Sequence, residues 1–115
     1  MNRREKFKFN ALPIISLLPV LLSFQANASQ DNSEIEALIK KGNCWGCHNF
    51  DELRIGPTYK MIASKYAETT DDKIEVLVQK VRYGGAGNWG VVPMIPNSKL
   101  SEQEIKAIVH WILKQ

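Results

Sequence analysis

The chain has 115 residues with fifteen Lys and Arg against twelve Asp and Glu, a formal net charge of +3. That length holds one compact domain, domains usually running to about 100–150 residues, and excludes a multidomain enzyme within this sequence. All of the excess positive charge lies in the first ten residues (MNRREKFKFN), so residues 29–115 carry eleven bases and eleven acids; a charge-driven nucleic-acid or anionic-lipid binder is therefore not expected.

In chain order, the basic start is followed by an apolar run, residues 11–24 (ALPIISLLPVLLSF), and by Ala-Asn-Ala at 26–28. This is the three-part layout of a secretory signal peptide, with cleavage expected after Ala28. As a helix the run would reach only ~21 Å against a hydrocarbon core of ~30 Å, which speaks against a membrane anchor; an uncleaved leader is the alternative. The expected organisation is thus a cleaved leader, residues 1–28, and a periplasmic domain, residues 29–115. A domain that small is marginal as a self-sufficient core and commonly needs a disulfide, metal or cofactor.

Four helices are predicted after the leader. Ser33 and Glu36 form a capping box for the first, with Ile35, Leu38 and Ile39 on one face and an end near Lys41, before Gly42. Pro57 suits the first turn of the second, whose face is Tyr59, Ile62, Ala63 and Tyr66. Asp72 and Glu75 cap the third, with Ile74, Leu77, Val78 and Val81 inward. Gly84 and Gly85 end it. A loop rich in Gly and Pro, residues 84–99, leads to the fourth, where Ser101 and Glu104 make a capping box, Leu100 and Ile105 a hydrophobic staple, and Ile105, Ile108, Val109 and Ile112 the buried stripe. No alternating run long enough for a sheet is present.

The only two cysteines fall in C-W-G-C-H, Cys44 to His48, behind the first helix. This is the spacing of covalent haem attachment: two thiols add across the vinyl groups on one porphyrin edge, and the adjacent histidine lies under the iron. His48 is then the proximal ligand, its second ring nitrogen free to bond a carbonyl. A disulfide, a thioredoxin-like site and a zinc site are the alternatives; the thioredoxin reading lacks a βαβ context, and zinc has only His110 beyond the motif. For the distal ligand the candidates are Met61, Met94 and His110. Helical periodicity turns Met61 and His110 outward, whereas Met94 in V-V-P-M-I-P-N sits in an extended segment stiffened by Pro93 and Pro96. Met94 is the expected ligand, with gap filling as its other reading.

Taken in order, C-W-G-C-H, I-G-P-T-Y-K-M-I-A-S-K-Y, G-G-A-G-N-W-G, V-P-M-I-P-N and the terminal W-I-L-K make the sequence resemble the small single-haem class I bacterial c-type cytochromes over nearly all of residues 29–115. The resemblance implies an all-α, cytochrome c-like domain of about four helices around one covalent haem c. It also implies that the Pro57 carbonyl accepts the His48 ring N–H, that Trp89 donates to a haem propionate, that Asn97 bonds the Met94 sulfur, and that Lys80 or Arg82 neutralises a propionate. Ile95 departs from the family pattern, in which a second proline follows the methionine. With both axial positions filled by protein, the expected function is outer-sphere electron transfer rather than catalysis, in a respiratory chain and between redox proteins: a reductase or dehydrogenase as donor, an oxidase, peroxidase or reductase as acceptor. An open-haem enzyme or sensor and a permanently bound redox subunit are the rivals. No nucleic-acid partner and no stable membrane insertion after cleavage are expected.

Overall fold

A computed structural model describes residues 28–68 and 70–115, and the side chains from residue 32 onward. The expected leader lies outside these residues apart from Ala28, the first residue of α1. The described part is all-α, as the periodicity predicts: α1 (Ala28–Lys41), α2 (Tyr59–Lys65), α3 (Asp71–Tyr83) and α4 (Glu102–Ile112), with a 3-10 turn at Cys44–Gly46 between α1 and α2. Among the described residues no helix is long and apolar enough to cross a membrane.

Three helix starts differ from the sequence reading. Helix α1 begins at Ala28, so Ser33 lies inside it and does not mark its start: a capping box opens a helix only where the chain before it leaves helical geometry, and here residues 28–32 continue it. Asn32 in that early turn accepts a hydrogen bond from the Trp111 indole at 3.2 Å, tying α1 to α4. Helix α3 begins two residues early, at Asp71 with Thr70 rather than Asp72 in the cap position. Helix α2 is capped by Thr58, whose hydroxyl accepts from the Met61 N–H at 3.1 Å, so Pro57 precedes the cap instead of occupying the first turn. The displacement matters: inside the helix the Pro57 carbonyl would enter the helical ladder, whereas before the cap it is available to another donor.

The core is one cluster. Ile35 and Ile39 of α1, Tyr59 at the head of α2, Ile74 and Val78 of α3, and the α4 stripe Ile105, Ile108, Val109 and Ile112 pack together with Leu100. α4 is the hub, touching α1, α2 and α3. Its predicted capping box is present in both directions, Glu104 N–H to Ser101 Oγ at 3.2 Å and Ser101 N–H to Glu104 Oε2 at 2.8 Å.

The same Glu104 carboxylate receives Lys41 Nζ at 2.7 and 2.9 Å, joining the end of α1 to the start of α4. The Lys41 hydrogen bond, then the Ser101 backbone N–H, hold its carboxyl below the ordinary 4.5. A carboxyl whose pKa is lowered by folding stabilises the native state above its unfolded pKa and ceases to do so as pH falls through the folded one. Glu104→Gln keeps a capping side chain but removes the charge. Its melting temperature is therefore expected to lie below the parent's at pH 7 and to converge on it in acid below 4.5; a difference independent of pH would exclude the ion pair as its cause.

Candidate functional site

The haem-attachment motif is shaped by the way α1 stops. Gly42 N–H and Asn43 N–H close onto Leu38 and Lys40, and Asn43 takes a left-handed conformation (φ 54°) that turns the chain out of the helix. The following 3-10 turn has about three residues per turn, so side chains at i and i+3 eclipse. Cys44 and Cys47 stand in that relation, which turns the two-residue spacing into two thiols on one side. Both are unpaired and half-buried, and burial pushes the Cys44 thiol pKa up.

His48 follows, its N–H bonded to the Cys44 carbonyl at 2.9 Å. The strap of residues 49–58 returns beneath it, pinned by Gly56 N–H to Cys47 O at 2.8 Å, Tyr59 N–H to Asn49 O at 2.9 Å and Arg54 Nη1 to Trp45 O at 3.0 Å. His48 Nδ1 and the Pro57 carbonyl lie 2.7 Å apart, the hydrogen bond the resemblance implies. Gly56 lies against the ring so closely that a Cβ there would come within 2.6 Å of Cε1 and 2.9 Å of Nδ1. The Tyr59 ring stacks on the imidazole at 6.0 Å between centroids and meets Trp111 edge-on at 5.5 Å. Gly56, the Thr58 cap and this stacking escaped the sequence reading, although a Thr directly before an apolar helical run is a cap signal.

The opposite wall is the loop of residues 84–99. Its stem is an isolated antiparallel bridge in which Gly85 and Met94 exchange two backbone hydrogen bonds of 3.0 Å. Gly84, at φ 70°, lets the chain leave α3 there; a Cβ would run into the Met94 carbonyl oxygen and the Pro96 nitrogen, both backbone atoms. Asn97 locks the end of the loop, donating to the Gly42 carbonyl at 2.9 Å and accepting from the N–H groups of Lys99 and Leu100. The first bond ties the loop to Gly42, just past the end of α1, and the other two close the turn that leads to α4, a different task from the Met94 sulfur contact that the resemblance implies.

Between the walls is a cavity of about 620 Å³, and Cys44, Cys47, His48, Pro57, Trp89, Met94 and Asn97 all line it. Of the two cations considered for the propionates, Lys80 lines the cavity, while Arg82 donates to the Leu100 carbonyl at 2.8 Å and to that of Asn97 at 3.4 Å, bracing the loop. His110 is exposed, as periodicity predicts. Met61 is 40 % exposed but also lines the cavity; facing away from the core along α2 means facing the cavity mouth, which periodicity alone does not distinguish. Among the described residues the buried Tyr59 hydroxyl has no hydrogen-bond partner, and burial, followed by the charge of Cys44, raises its pKa.

An all-α domain with eclipsed thiols, a braced imidazole and a thioether-bearing loop around one cavity defines a protein of the covalent-haem class, and these residues fit that group. A family model described as Cytochrome c matches residues 33–115. Cytochrome c-551 of Allochromatium vinosum is 45 % identical over 76 residues, 66 % of this chain and 80 % of its own. Cytochrome c-552 of Nitrosomonas europaea is 43 % identical over 76 residues, 66 % of this chain and 73 % of its own. The crystal structure of the wild-type Nitrosomonas protein superposes with a TM-score of 0.63 at 42 % identity, covering 68 % of this chain and 95 % of that one. The chain belongs to the cytochrome c family. Its fold is the cytochrome c fold, its cofactor is haem c held through a Cys-x-x-Cys pair, and it is a haem-containing electron carrier.

Proposed function

We propose that residues 29–115 are an exported, periplasmic carrier of single electrons, with Cys44 and Cys47 as thioether anchors and His48 and Met94 as axial ligands. The observation that carries this reading is the placement of His48 and Met94 on one cavity, each fixed by backbone contacts of its own: Pro57 and Gly56 behind the imidazole, the Gly85 bridge behind the methionine. Haem c supplies an iron that alternates between ferric and ferrous states. The Pro57 carbonyl holds the imidazole proton on Nδ1, which orients the ring and leaves Nε2 as the donor atom. Trp89 and Lys80, both on the cavity wall, would meet the propionates, by hydrogen bond and by charge.

With both axial positions supplied by side chains, no site is left for a substrate, which favours electron transfer over catalysis. Leu53, Ile55, Val91, Val92 and Ile95 are exposed around the cavity mouth, and an apolar rim of this kind suits brief docking of redox partners in a respiratory chain. The export reading rests on the three-part leader.

The test is spectroscopic. Haem should remain with the polypeptide in denaturing electrophoresis, and the reduced protein should show the same visible spectrum with and without carbon monoxide. Ready binding of carbon monoxide would replace the carrier with the open-haem enzyme or sensor; haem extracted by acid acetone would remove the thioether assignment.

A further inference from the structure

The tip of the cavity loop, residues 86–93, is exposed throughout. Gly87 and Gly90 both adopt positive φ, and the tip closes on itself through Gly87 N–H to Gly90 O at 2.9 Å. Such a segment has little of its own to hold a large side chain in one place, yet it carries Trp89. Against this tip stands Lys65, the last residue of α2. Its ammonium donates to the Asn88 carbonyl at 2.5 Å and lies 4.3 Å above the centre of the Trp89 ring. One charge thus grips both the backbone and the indole face at adjacent positions, from the carbonyl end of a helix where a cation is favoured. The lysine grips the ring by its face, so the contact does not use the indole N–H at its edge.

We propose that Lys65 is a positioning residue that latches the loop tip to α2 and presents the Trp89 indole N–H to the haem edge. The idea rests on the reading of Trp89 as a propionate donor given above. The latch acts by ordering: a flexible tip would have to find its bonding geometry at an entropic cost, and two contacts from one rigidly based lysine meet that cost in advance.

The haem-loaded protein in its diamagnetic ferrous state supplies the test, through hydrogen exchange of the Trp89 indole N–H, assigned by its disappearance in Trp89→Phe, and of the Gly87 amide. Lys65→Met keeps the aliphatic stem and removes the charge; it should accelerate both exchanges about fivefold or more at an unchanged melting temperature. Lys65→Arg retains a cation and a donor and should restore the parent rates. Unchanged exchange in Lys65→Met, or an arginine variant indistinguishable from methionine, overturns the latch. If the parent indole N–H exchanges as fast as in an unfolded peptide, the donor reading of Trp89 fails instead. The Gly87 amide then decides the latch on its own: acceleration in Lys65→Met supports it, and equal protection overturns it.

Discussion

Met94→Ala is expected to open the iron. A thioether is a soft, neutral ligand that favours ferrous over ferric iron, so its removal should lower the potential, by the order of 100 mV within the range of ~0.8 V that axial ligands span. The reduced variant should bind carbon monoxide readily, and the weak long-wavelength sulfur-to-iron band of the oxidised protein should disappear. The fold should survive, because the loop is held by backbone bonds from Gly85, by Asn97 and by Arg82, none of which needs the methionine side chain. His110→Ala is the clean control, being exposed and absent from the cavity wall. Met61→Ala is the sharper one, since Met61 shares the cavity. A Met94→Ala protein that behaves like the parent, beside a Met61→Ala protein that binds carbon monoxide, would transfer the ligand role from the loop to α2.

How far the sequence alone reaches depends on whether a signal is local. The α4 capping box, the stripe from Ile105 to Ile112 and the C-x-x-C-H motif are each complete within a dozen residues, and all three are found where periodicity and spacing place them. The start of α1 was misjudged because the Ser33–Glu36 pattern is also compatible with the interior of a longer helix. The tasks of Asn97 and Arg82 are non-local: Asn97 reaches Gly42 and Arg82 reaches Leu100, partners 55 and 18 residues away that no spacing rule proposes. Lys65 is given no role by the sequence, and only the return of the loop 23 residues later gives it a carbonyl to bond. Met61 shows the remaining limit, for helical phase separates the core side from the open side but does not tell a cavity from solvent.

Gly56→Ala tests the proximal half of the site by adding one methyl group against the His48 ring. The new Cβ would sit 2.6 Å from His48 Cε1, 2.9 Å from Nδ1 and 3.2 Å from Nε2. Gly56 cannot retreat easily, because its N–H is bonded to the Cys47 carbonyl at 2.8 Å and the next residue supplies the carbonyl facing His48 Nδ1. The ring cannot retreat freely either, with Tyr59 stacked on it and Cys47 adjacent in the chain. Overpacking of this kind costs about 1–3 kcal/mol, which for a domain of this size lowers the melting temperature by roughly 5–20 °C. Displacement of the ring should also stretch the His48–Pro57 hydrogen bond, moving the hyperfine-shifted His48 ring resonances of the ferric protein and changing the potential. Gly46→Ala separates a packing effect from a general intolerance of alanine near the motif: its Cβ would meet its nearest neighbour, Asn43 Nδ2, at an ordinary 3.5 Å. That variant should keep the parent's stability and spectrum. If Gly56→Ala does so as well, with unmoved histidine resonances, the close approach of glycine to imidazole is not what seats His48, and the Pro57 carbonyl must hold the ring by itself.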